Sequence, residues 1–442
     1  MKKLTAILLM LAMLASLATA CGAPAASAPV SKSASVTADA NAPAELAGSL
    51  VLWSQWNETE TQGQVFQEYA DAFMKEHEKV KIEIQWCGRD IDKTLKAALD
   101  GGEKIDIYDY PLNYGKELEA NTLELTELLA KPYATTSGKP LSEVISPSLL
   151  ATPKSQTQTP DKQLAIGYSP YMLSFMYNSQ IFTDLGINAP ANWEELDAAC
   201  AKIKESGVAP ITFDDAYACW LPGMYLSREK DEAFIEALIK DTTGEMWNDE
   251  AVVKMAKAFE DFAKKGYFHE NVGGNKWPAG QIDLGTGKAA MYYNATWLPN
   301  EIRDTTGPDF KWGAFAYPDT ITGAGKSKNS EAGGSSQLAI AKNCADPALA
   351  MEFIASIYTL ENDQKMVELT ASIPSGTATP FPAALEGVKP VFDSVTTVLK
   401  PGGAIDANPD LKPIIAENFT QLAAGKISAE QFVSNMVAAT KK

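Results

Sequence analysis

The chain has 442 residues, and 45% of them are hydrophobic, enough to bury real cores. With 56 acidic against 38 basic residues the formal charge is −18, which repels polyanions and excludes nucleic acid as a natural partner. There are two histidines, His77 and His269, and neither has metal-ligand neighbours at useful spacing. No Gly-rich dinucleotide or phosphate loop follows any candidate strand, so neither a metal nor a cofactor is expected.

Residues 1–20 read as an export signal. Lys2 and Lys3 start it, residues 4–17 are apolar apart from Thr5 and Ser16, and Ala18-Thr19-Ala20 precede Cys21. Residues 21–48 are rich in Ala, Ser and Pro without apolar period, and read as a disordered tether. No later run is long and apolar enough for a bilayer, so the body is expected to be exported and water-soluble. Cys87, Cys200, Cys219 and Cys344 form no Cys-x-x-Cys pair; one bridge or isolated buried thiols both fit.

Leu50 to Trp53 reads as a strand, and Val65, Phe66, Tyr69, Ala70, Phe73 and Met74 mark one helical face. Val80, Ile82, Ile84 and Trp86 alternate with polar residues, which predicts a half-covered strand. Ile91, Leu95, Ala98 and Leu99 give a second helix, and Ile105 to Tyr108 a third strand. This alternation predicts an α/β fold with a parallel-rich sheet, whose ligands bind beyond the carboxyl ends of the strands. Those ends carry Trp53, Gln55, Trp56, Asn57 and Glu58, then Asp109, Tyr110 and Asn113.

A short helix is predicted over Asn121 to Ala130, and a loop over Pro132 to Pro160. Two apolar extended runs follow, Leu164 to Tyr168 and Met172 to Tyr177, then a helix capped by Asn192 and Glu195. Ile211 to Met224 has no helical period, whereas Phe234 to Ile239 and Val252 to Phe262 do. Phe310 to Gly313 and Gly333 to Ile340 read as extended, Asp346-Pro347 as a helix start, and two helices close the chain.

With these residues in order, the chain resembles the extracellular solute-binding proteins of sugar-type ABC importers. Gln163 to Tyr168 with Phe175 to Asn178 resembles the family's "YALPY…FYN" segment. Gly186-Ile187, Pro190 and Trp193-Glu194-Glu195-Leu196 resemble "GI..P.TW.E". Gly287 to Met291 with Trp297 resembles "GKAAM…G.W", and Gly333-Gly334 with Asp346-Pro347, Ala350 and Phe353 resembles "GG…P..A.EF". Gly167 departs from the family's usual Pro, which implies a looser crossing, and Ala295-Thr296 stand where Gly and a small residue are common.

The resemblance implies a two-lobe periplasmic-binding-protein-like fold of type II. Lobe one would be 49–165 plus 334–372, and lobe two 166–333 plus 373–442. Hinge crossings would lie near 165–168, 333–337 and 373–375. It further implies a mono- or oligosaccharide ligand, permease subunits as partners, a monomer, and Cys21 as the acylated residue of a cell-surface lipoprotein, though plain secretion also fits Ala18 to Ala20.

A sugar needs flat aromatic surface for its ring faces, and amides, hydroxyls or carboxylates for its rim. The candidates are Trp53, Gln55, Trp56, Glu58, Asp109, Tyr168, Asp215, Trp220, Trp277 and Trp297, with Gly334 and Ser335 offering backbone N–H groups. No covalent chemistry is required of them, so no catalytic residue is assigned. Two rival readings of the chemistry remain, beside a sensor subunit that feeds a signalling receptor and not a transporter. One is a binding protein for a peptide or polyamine. The other is a secreted glycoside hydrolase, for which Asp214-Asp215 and Glu194-Glu195 supply carboxylates but not an opposed pair.

Overall fold

A computed structural model describes residues 45–111, 114–155, 157–320, 330–395 and 397–441. The export signal, Cys21, most of the tether and Asn113 lie outside the described residues. The strands among them are β1 (Ala47–Ser54), β2 (Lys79–Trp86), β3 (Ile107–Pro111), β4 (Ile166–Asn178), β5 (Ala209–Thr212), β6 (Ala289–Ala295), β7 (Trp312–Phe315), β8 (Ser330–Ile340) and β9 (Thr397–Leu399). β1 begins inside the stretch read as tether. Leu46 packs on the core, and a Cβ on Gly48 would lie 2.8 Å from Leu349 Cδ2.

The strand order is β2-β1-β3-β8-β4-β6-β5, with β7 added to β4 and β9 to β8. β1 is parallel to both β2 and β3, as the strand–helix alternation predicts. β3 and β4 both run antiparallel to β8.

β4 joins the two halves of this sheet. The two apolar runs of the sequence form one strand of 13 residues. Ile166 to Tyr168 pair with β8, and Leu173 to Asn178 pair with β6 and β7. The register slips between Tyr168 and Tyr171, where Ser169 takes a positive φ of 46°. A bulge of this kind adds chain on one strand and re-aims the side chains beyond it.

Two large apolar cores follow this division. One gathers Leu50, Phe66, Ile107, Leu338 and Phe353, and takes Ile166 and Tyr168 from β4. The other gathers Phe259, Met291, Phe419 and Met436, and takes Met172 to Met176. A third, smaller cluster lies under the helix Ile91–Gly101.

Helix starts follow the local chemistry. Asn192 Oδ1 accepts from Glu195 N at 2.9 Å, while Glu195 returns a carboxylate oxygen to Ala191 N at 2.8 Å. Asp346 Oδ1 accepts from Leu349 N at 3.0 Å, with Pro347 opening the helix.

Other elements depart from the sequence reading. The helix expected over Asn121 to Ala130 shrinks to Thr126–Leu129, because Leu123 N donates to Ile340 O at 2.9 Å and ties the segment to β8. The expected loop after Pro132 holds the helices Leu141–Val144 and Pro147–Ser155. The aperiodic stretch before Met224 contains β5 and the start of the helix Trp220–Glu229. Trp220 to Arg228 are all buried, so this helix has no solvent face and no amphipathic period to read. Cys87, Cys200, Cys219 and Cys344 are free thiols.

Gly167 sits in a crowded part of the crossing. A Cβ there would lie 2.7 Å from Ser335 Oγ and 2.8 Å from Leu149 Cδ2, so glycine permits close approach of β8 and the helix Pro147–Ser155. Overpacking of this kind costs about 1–3 kcal/mol. Gly167→Ala is expected to lose that much in urea unfolding; an unchanged midpoint would mean the neighbours yield freely.

Candidate functional site

Two adjoining cavities lie where elements of the two large cores face each other. The larger, about 480 Å³, has Gln55, Thr152 and Ser335 on one side and Tyr171, Trp220 and Val398 on the other. That volume lies within the range of small-molecule sites. The smaller, about 190 Å³, is lined by Trp56, Gln62, Thr296, Trp297 and Ser372 among others. Tyr171 and Ser336 border both.

The floor is organised by Asp109, which is fully buried within β3. Ser54 Oγ donates to it at 2.5 Å and Gln55 Nε2 at 2.6 Å. The Tyr168 hydroxyl bears on the same carboxyl and accepts from Trp56 Nε1 at 2.7 Å. No cation pairs with Asp109 among the described residues. Burial pushes its pKa up to about 6, against the opposing pull of the Ser54, Gln55 and Tyr168 hydrogen bonds. With one amide N–H of Gln55 committed to Asp109, its carbonyl oxygen and second N–H remain for a ligand.

The opposite wall is aromatic. Trp220 lies 4.5 Å from Tyr217 and 6.2 Å from Trp297 between ring centroids, and Trp297 lies 5.1 Å from Tyr171. Trp220 is buried, yet its indole N–H has no hydrogen-bond partner among the described residues. Trp220 borders the larger cavity, while its indole nitrogen is enclosed by the surrounding residues.

The structure brings together part of the sequence-derived set. Gln55, Trp220 and Ser335 line the larger cavity, Trp56 and Trp297 the smaller. Asp109 and Tyr168 are buried beneath them, so neither is the cleft-facing group expected. Trp53 packs into the cluster under Ile91–Gly101. Glu58 is exposed and borders neither cavity. Asp215 is occupied by Lys276 Nζ at 2.9 Å and Trp277 N at 3.1 Å, and Trp277 is 50% exposed. Gly334 lies behind Tyr171 and borders neither cavity.

Sequence reasoning missed Tyr171, Ser336 and the segment from Val398 to Ala407. Tyr171 falls between two apolar runs, outside either strand pattern. The later segment has one legible signal, Pro401-Gly402-Gly403, whose glycines take φ of 56° and 61°. Gly402 packs against Trp220, since its Cβ would lie 3.0 Å from Trp220 Cδ1.

Three of the four carboxylates considered for hydrolysis, Asp214, Asp215 and Glu195, have structural work. Asp214 accepts from Gly280 N at 2.6 Å and from the Tyr292 hydroxyl at 3.0 Å, and Glu195 caps a helix.

A model of the bacterial extracellular solute-binding proteins matches residues 57–364, well over half of the chain. The chain belongs to this family. Family members are binding proteins. A Rhizobium meliloti protein described as a probable sugar-binding periplasmic protein is 26% identical over 60% of this chain and 64% of its own length. A Brucella abortus binding protein is 30% identical, over 34% of this chain; the aligned part spans 36% of that relative's length. Among solved structures, a chitin oligosaccharide binding protein superposes with a TM-score of 0.62 at 22% identity, covering 89% of this chain and 98% of its own. RafE from Streptococcus pneumoniae reaches 0.70 at 16% identity, covering 90% and 98%. These likenesses show the fold, the mixed α/β, two-lobe architecture of solute-binding proteins. Among the described residues no helix is long and apolar enough to cross a membrane.

The floor of the candidate site carries a pH signature. An acid whose folded pKa is about 6 holds its proton more tightly folded than unfolded, near 3.9. Stability therefore falls as pH rises from about 4 to about 6 and is flat above, by on the order of 3 kcal/mol. In urea unfolding, the wild type should lose that much relative to Asp109→Asn across this window. Parallel pH curves for the two proteins would remove Asp109 as the titrating group.

Proposed function

We propose that this protein is the capture subunit of an ABC importer, binding a sugar or oligosaccharide in the cleft and presenting it to membrane permease subunits. The observation that carries the reading is the pairing of walls in the larger cavity. Trp220 and Tyr171 offer flat apolar faces, and Gln55, Ser335 and Ser336 offer amide and hydroxyl groups opposite. These are the two surfaces a pyranose ring presents. The sugar-binding description of the Rhizobium relative supports it.

In this reading lobe one is 49–165 plus 334–372, extended by residues 46–48 and by Ile166 to Tyr168, which join the first core, and lobe two is the rest of 166–333 plus 373–442. The assignment is supported by the first core holding Leu338 and Met366 and the second holding Ala332 and Ile373. Binding acts by closure: a ligand touching both lobes stabilises the closed form and nothing is turned over. Cys21 carries the acyl anchor, residues 22–45 are the tether, and the body acts as a monomer at the outer face of the cytoplasmic membrane.

Thermal shift with mono- and oligosaccharides tests the ligand class. A sugar at about 100 times its Kd should stabilise the protein by ~2.7 kcal/mol. Trp220→Ala should weaken that sugar by on the order of 2 kcal/mol, roughly thirtyfold. A melt moved by a peptide or polyamine and by no sugar would overturn the reading; turnover of any oligosaccharide would revive a hydrolase.

A further inference from the structure

Tyr171 stands at the junction of the two cavities, and three independent features hold it there. The β4 bulge precedes it, with Ser169 at a positive φ and its N–H donating to Ser375 Oγ at 3.0 Å. Behind the ring, Gly334 leaves out a side chain: a Cβ there would lie 2.6 Å from the Tyr171 hydroxyl and 2.8 Å from Cζ. On the smaller-cavity side the ring packs on Trp297 at 5.1 Å. Backbone irregularity, a missing side chain and an aromatic contact all serve one ring position.

The smaller cavity has a distinct chemistry. No charged residue lines it; Gln62, Thr296, Thr370 and Ser372 give it amide and hydroxyl groups beside Trp56 and Trp297. The Ser372 hydroxyl is buried with no hydrogen-bond partner among the described residues. At about 190 Å³ this space is below the ~300 Å³ at which small-molecule sites begin, so it suits one end of a larger ligand. The larger cavity by contrast is bordered by Lys400 and by Asp406, which pairs with Lys412 at 3.1 Å.

We propose that the smaller cavity is a terminal subsite for one neutral sugar ring, that the rest of the ligand fills the larger cavity, and that Tyr171 is the specificity-determining residue between them. The ligand is then an oligosaccharide with a neutral terminal unit and not a monosaccharide. This rests on the sugar-binding reading above. The ring of Tyr171 gives the ligand a stacking face at the linkage between units, and its hydroxyl is not required for that.

Isothermal titration with gluco-, xylo- and chito-oligosaccharides of increasing length tests it on the full mature chain. In the wild type, affinity should rise about tenfold or more from the monosaccharide to a longer member of one series. Tyr171→Phe should keep this ratio, and Tyr171→Ala should reduce it to about twofold or less. Ser372→Phe, which fills the smaller cavity, should collapse the ratio without requiring any change at Tyr171. A monosaccharide bound as tightly as every longer member overturns the inference and leaves sugar binding intact. So does a length ratio that survives both Tyr171→Ala and Ser372→Phe. Binding of no saccharide in any series overturns the sugar reading itself, and this inference with it.

Discussion

The constraint on which the molecule depends is that one strand serves two cores. β4 must satisfy the ladder of β8 at its start and those of β6 and β7 at its end. A straight strand alternates its faces with a period of two, and one slip exchanges core and solvent faces. The bulge between Tyr168 and Tyr171 resets that period. Tyr168 therefore points into the first core, Met172 to Met176 fill the second, and Tyr171 is left facing the space between. The candidate site is thus a consequence of the crossing and not an addition to it.

Close approach at the crossing is held by absent side chains and buried hydrogen bonds more than by apolar bulk. Gly167 admits Ser335 and Leu149, Gly334 admits Tyr171, and the Tyr358 hydroxyl donates to Gly167 O at 2.8 Å. A buried ion pair secures the entry of β8. Arg228 meets Glu331 at 3.4 Å, and Glu331 also accepts from the Tyr293 hydroxyl at 2.7 Å and Tyr317 N at 2.6 Å. The desolvation cost of such a pair is large, so it adds little net stability over an apolar substitute. What it supplies is position: removing either partner leaves the other charged and buried.

What was legible in the sequence is what depends on neighbours in the chain. The caps at Asn192 and Asp346, the faces of Thr61–Glu76 and Glu250–Lys265, and the parallel start of the sheet all rest on spacing within one element. The helix Trp220–Glu229 was not legible, because burial on every side erases the period. Asp109 was misplaced by three residues of strand. Ending β3 at Tyr108 made it a loop charge, whereas β3 continues to Pro111 and encloses it. Tyr171 and Val398 to Ala407 reach the cavity through tertiary packing alone, which no local pattern encodes.

In the proposed closure mechanism, the arrangement of the floor lets a rigid framework respond to a ligand. Asp109, Ser54, Gln55 and Tyr168 are bonded to one another within the first core, so the polar side of the cavity is preorganised and loses little freedom on binding. The aromatic side is built on the second core, where the Trp220 N–H remains unbonded. The larger cavity has both surfaces in its walls, and β4 and β8 pair with each other between the two cores. A ligand's preference for the state in which both surfaces reach it then sets how far the population shifts. Because the bulge of β4 places Tyr171 on that path, the residue that shapes the cavity also lies where the two cores meet.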